Sequence, residues 1–148
     1  MKKYFITSSI FLLIFFVSFS QIQTPQPSPF STTVQKVGLV DVTIEYSRPS
    51  MKGREIFGSL ISYNELWRTG ANQNSKITFS DDVRVGGSKV SKGTYSIYTR
   101  PSIDSWELIL YKKSDNWGLP KKWNKSLVAL NIVANSYDLP FQIETFTI

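Results

Sequence analysis

Apolar and polar residues alternate with period two through one short run after another, and this limits the chain to β-structure more tightly than any other feature. In Asp41–Tyr46, Val42, Ile44 and Tyr46 fall on one face of an extended chain and Asp41, Thr43 and Glu45 on the other, the pattern of a half-buried strand. Comparable runs recur at KITFS (76–80), VRV (83–85), TYSIYT (94–99), WELILY (106–111), SLVALNIV (126–133) and FQIETFTI (141–148). Turn residues separate them: Asp81-Asp82, Gly86-Gly87, Lys92-Gly93, Pro101 to Asp104 and Asp115 to Pro120. VRVGGSKV is a hairpin candidate, because two consecutive glycines accept the positive φ values of a tight turn. WELILY is apolar on both faces and is expected inside a sheet. The β-branched residues of SLVALNIV favour a strand over a helix, and a short helical turn is expected around Ser59 to Leu66. Many short strands at this spacing predict an all-β fold, an antiparallel β-sandwich that is jelly-roll-like or a partly open barrel.

The ends set the domain organisation. Lys2 and Lys3, the apolar run Ile10–Val17 and the small residues of Ser18-Phe19-Ser20 read as an export signal over residues 1–20, cleaved between Ser20 and Gln21. The apolar run is too short for a bilayer span, which needs about 20 residues. No transmembrane segment is expected in the mature chain, which should be periplasmic or extracellular. Three prolines in residues 21–30 suggest an extended tether, and residues 31–148 suffice for a single β-sandwich domain. With no cysteine, stability must come from the core, and an aromatic content of 14% can supply one. The final alternating run stops at Ile148 without a turn or polar tail, so either an edge strand or a missing C-terminal strand is expected there.

Composition also restricts chemistry. Without histidine or cysteine the chain can build neither a Ser-His-Asp nor a Cys-His nucleophile, nor a zinc site of the usual ligands. Asp81-Asp82 and Asp115-Asn116 lack the spacing of a calcium loop and read as turn residues. No catalytic residue, metal or cofactor is assigned. A glycosidase needs two carboxyl groups about 5 to 10 Å apart; Glu45, Glu55 and Glu65 are the candidates, and no spacing singles out a pair. Signal removal lowers the formal charge from +6 to +4, which suits a solvated surface or anionic envelope groups, and no motif points to nucleic acid.

Two constellations remain as binding surfaces. In EYSRPSMKGREIFG (45–58) and WRTGAN (67–72), Arg48, Arg54 and Arg68 stand near Tyr46, Phe57 and Trp67. Guanidinium forks bind carboxylate and phosphate oxygens bidentately and stack on rings. Glu45, Tyr46, Arg48, Arg54, Trp67, Arg68 and Asn72 are therefore the candidate ligand-binding set. The alternative is that the arginines pin the loop by bonding carbonyls and nearby glutamates. In YKKSDNWGLPKKWNK (111–125), Trp117, Lys121, Lys122 and Trp123 form a second candidate surface for sugars, unless the tryptophans fold back as lids on the core.

With IEYSRPSMKGREIFG, WRTGAN, ITFSDDVRVGG, KGTYSIYT and NWG in this order, the chain resembles the domain of unknown function 2911 family, known from exported proteins of Bacteroidetes-type bacteria. The resemblance runs from about Pro27 to Ile148. It implies an all-β domain in an extracytoplasmic setting and no established activity, and the family signature falls within residues 45–58 and 67–72. Family members generally continue beyond the strand where this chain stops. The leading expectation is an exported, non-catalytic module that binds a glycan or another cell-envelope component. The alternatives are a carboxylate-dependent hydrolase of envelope sugars and an interaction domain completed by β-strand addition.

Overall fold

The structure, a computed structural model, describes residues 24–148. The expected export signal lies outside the described residues. Eight strands follow in order: β1 (Phe30–Val37), β2 (Val40–Ser47), β3 (Lys76–Phe79), β4 (Val83–Val85), β5 (Ser88–Val90), β6 (Gly93–Pro101), β7 (Ser105–Tyr111) and β8 (Val128–Asn135). Six form one antiparallel sheet in the order β1-β2-β3-β6-β7-β8, and β4 and β5 form a separate hairpin. The fold is all-β and is not closed into a barrel.

Register assigns each side chain to a face. Ile44 pairs with Ile77, Ile77 with Tyr95, Ile97 with Leu110 and Leu110 with Leu130, so one face carries a continuous apolar row. Phe79, Val90, Tyr95, Ile97, Leu110 and Leu130 are buried there, with Val83 and Val85 of the hairpin packed against them. Burial, and secondarily nearby Asp82, pushes the Tyr95 phenol above its ordinary pKa. The opposite face buries Tyr98, Ile109 and Tyr111 beneath Leu66, Trp123, Leu127 and Val128. Strand β7 lies inside the sheet and serves both layers, with Ile109 1% and Leu110 2% exposed. Burying side chains of this size contributes roughly 1.5–3 kcal/mol each. Gly86 and Gly87, at φ 55° and 81°, close the β4–β5 hairpin as their sequence predicts.

Three local features differ from expectation. No α-helix forms over 59–66. Gly58 (φ 86°) and Asn64 (φ 65°) break the helical run, and the segment is a series of turns held by Ile61 N–H donating to Ile56 O (2.8 Å) and Asn64 N–H to Pro101 O (2.8 Å). Strand β1 arises from the polar stretch FSTTVQKV, whose β-branched threonines and valines hold it extended against β2 although nearly all of it is exposed. The run 141–148 forms no strand of the sheet: it bends at Phe141 and Glu144 and makes a single bridge from Thr145 to Ser50. Alternation favours an extended backbone, and what pairs with it is a tertiary matter.

Candidate functional site

The site grows from the end of β2. Pro49 cannot donate to a ladder, and the chain leaves the sheet at Arg48. Lys52 (φ 52°) and Gly53 (φ 69°) then reverse it, and Arg54 N–H donates to Met51 O at 3.1 Å. The Arg54 guanidinium closes over this turn, with Nε donating to Met51 O and Nη2 to Ser50 O, both at 2.8 Å. Arg48 works at longer range: Nε donates to Phe146 O (3.0 Å) and Nη2 to Thr147 Oγ1 (2.9 Å). Backbone bonds from Phe146 N to Pro49 O (2.9 Å) and Met51 N to Glu144 O (2.8 Å) complete the seam. Tyr46 is 3% exposed, and its hydroxyl joins the same seam by donating to Ile148 O (3.2 Å) and accepting from Ile148 N–H (3.0 Å).

The second motif enters beside β6. Trp67 and Thr99 exchange backbone hydrogen bonds at 2.8 and 3.0 Å, which extends the sheet beyond the start of β3. Alternation then sends neighbouring side chains to opposite faces. Leu66 packs with Tyr98 and Tyr111, whereas the Trp67 ring meets Phe57, Trp106 and Phe146 edge-on, with centroids 5.8, 6.1 and 5.2 Å away. Thr69 (φ 56°), Gly70 (φ 141°) and Asn72 (φ 58°) turn the chain back. Thr69, only 5% exposed, is steadied by a hydroxyl pair with Thr99 Oγ1 (3.0 Å) and by Ser75 Oγ donating to its carbonyl (2.5 Å).

Between these loops lies a cleft of about 920 Å³ lined by Arg54, Glu55, Phe57, Tyr63, Trp67 and Arg68, among others. Glu55 is the one acid among its described lining residues, against Lys52, Arg54 and Arg68. Arg48 and Arg54 bond carbonyls and a hydroxyl rather than Glu45, Glu55 or Glu65. Arg68 differs. Half-buried at the wall, it makes no hydrogen bond or ion pair with any described residue, and its guanidinium rests against Gly118, where a Cβ would stand 3.0 Å from Nη1.

A model of the family described as "Protein of unknown function (DUF2911)" matches residues 28–148. The chain belongs to the DUF2911 family. Searches of the curated proteins and of the solved structures found no match.

In this DUF2911 chain the fold brings three of the seven candidate residues to the cleft: Arg54, Trp67 and Arg68. The others lie elsewhere. Glu45 sits on the far face of β2, in register with Thr32 and Lys76, and Tyr46 and Arg48 are used by the C-terminal seam. Asn72 Nδ2 donates to Gln26 Oε1 (3.0 Å), Ser28 O (3.2 Å) and Ser47 Oγ (3.3 Å), fastening the proline-rich segment to the domain. In the second constellation Trp117 is 66% exposed and Lys121 and Lys122 are exposed, whereas Trp123 stacks on Tyr111 at 4.6 Å and covers the second core. Lys52, Tyr63 and Phe146 also line the cleft. Sequence reasoning did not select them, and for Phe146, nearly 80 residues from Trp67, no local signal exists. Among the described residues no helix is long and apolar enough to cross a membrane, and no cluster of metal-ligating side chains occurs.

Proposed function

We propose that the chain is an exported, non-catalytic module that binds a carboxylate-bearing glycan or a similar acidic component of the cell envelope in the Arg68 cleft. The observation that carries this reading is Arg68, a fork with no described protein partner, in the wall of a cleft that Phe57, Tyr63, Trp67 and Phe146 also line. Such a fork offers paired donors to a carboxylate, and aromatic faces suit the C–H surface of a sugar ring. Arg48 and Arg54, by contrast, build the loop that shapes the cleft. Export rests on the features of residues 1–20. The hydrolase alternative is less well supported, because Glu55 has no second acid among the described lining residues.

Thermal melts of the exported protein against neutral and uronic-acid-containing glycans test the reading. A ligand bound only by the native state at about 100 times its Kd adds about 2.7 kcal/mol. The expected result is a stabilising shift with acidic glycans, lost in Arg68→Ala, whose own melt in the absence of glycan stays near that of the parent. Arg54→Ala should instead lower the melt itself. Absence of a shift with every acidic glycan, or a shift that survives Arg68→Ala, overturns the assignment.

A further inference from the structure

We infer that the outer edge of β8 is a self-association surface through which two copies of this chain pair antiparallel, continuing the six-stranded sheet across a two-fold axis. Strand β8 closes one end of the sheet. Its backbone pairs only with β7, and no backbone hydrogen bond joins Ala129–Asn135 to any other described residue. A row of outward N–H and C=O groups eight residues long can be satisfied by water or by another strand. Natural edges usually discourage the second outcome with charge, proline or a twist. VALNIVAN contains no charged residue and no proline, and the one register shift along it lies at its start, opposite Leu110 and Tyr111.

The opposite edge is built differently. Strand β1 carries Lys36, which pairs with Asp41 at 3.4 Å, a charged edge residue of the kind that discourages strand addition. Pairing β8 with β1 would be head-to-tail, and such contacts grow open chains unless the rotation happens to close. Pairing β8 with β8 is self-complementary and closes at two copies. A register centred on Ile132 keeps like faces together: Leu130 lies beside Ala134 of the second copy, and Asn131 beside its Val133. Val133 is 70% exposed, so this pairing covers an apolar side chain that the monomer leaves in water. With no charge on either strand, no like-charge opposition arises despite the net positive charge of the chain.

Sedimentation velocity of the exported protein over about 1 μM to 1 mM reads the association, and hydrogen exchange locates it. The expected result is a concentration-dependent monomer–dimer equilibrium with slowed exchange confined to 129–135. Val133→Lys, an exposed position in register with Glu107 on β7, should weaken the dimer at least tenfold without lowering the thermal melt. Val34→Lys, equally exposed at 65% but on β1, should leave it intact. A monomer throughout the range, a dimer indifferent to Val133→Lys, or association only with a strand from another protein overturns the inference.

Discussion

Gly70 occupies a backbone state that other residues adopt only under strain, with φ at 141°. A Cβ there would lie 3.0 Å from both Ser47 O and Ser75 Oγ. Gly70→Ala is therefore expected to destabilise the fold by about 1–3 kcal/mol, measured as a lowered urea midpoint with an unchanged slope. A midpoint within experimental scatter of the parent would show that the loop relaxes freely around the new methyl. At this scale the sequence showed where glycine was needed and that the arginines could pin the loop through carbonyls, as Arg48 and Arg54 do, but not which carbonyls they would reach. The Gly86-Gly87 turn is local, so two residues suffice to specify it. The partners of Arg48 lie nearly a hundred residues away, and the contrast between Trp117 and Trp123 depends on how one loop lies over the sheet.

Among the elements, the segment 144–148 is an appendage fastened to β2 and its following loop rather than a member of the sheet. Its anchors are the Arg48 guanidinium, the Tyr46 hydroxyl and two backbone bonds. Removing the guanidinium leaves Phe146 O and Thr147 Oγ1 without that donor, at a cost of about 1–3 kcal/mol. Arg48→Ala should thus speed amide exchange in 144–148 while β6 and β7 stay protected, as read by native-state hydrogen exchange. Uniform acceleration across the sheet would mean that the seam is part of the global core. The strands themselves were largely legible, because period-two patterning and turn residues act over a few positions. Strand β1 escaped notice because it buries almost nothing, and the helical turn expected over 59–66 failed at two left-handed residues.

At the scale of the whole molecule, one sheet is shared by two apolar layers. Trp67 and Trp106 report on one layer and Trp123 on the other, and β7 contributes buried side chains to both. The layers cannot separate without breaking that strand, so unfolding is expected to be a single cooperative transition. Coincident urea curves from tryptophan fluorescence and far-UV circular dichroism would bear this out, and curves with distinct midpoints would show layers of independent stability. The seam between Tyr46 and Ile148 has a further consequence for kinetics. Every neighbouring pair in the main sheet except β3–β6 joins consecutive strands. The longest of those connections, between β2 and β3, runs over residues 48–75, whereas the seam joins positions 102 residues apart. Closure entropy rises with the logarithm of loop length, so the C-terminal segment is the last part of the domain to dock. Until it does, the cleft wall formed by Phe57 and Trp67 lacks Phe146, and a folding chain carries that cleft unfinished.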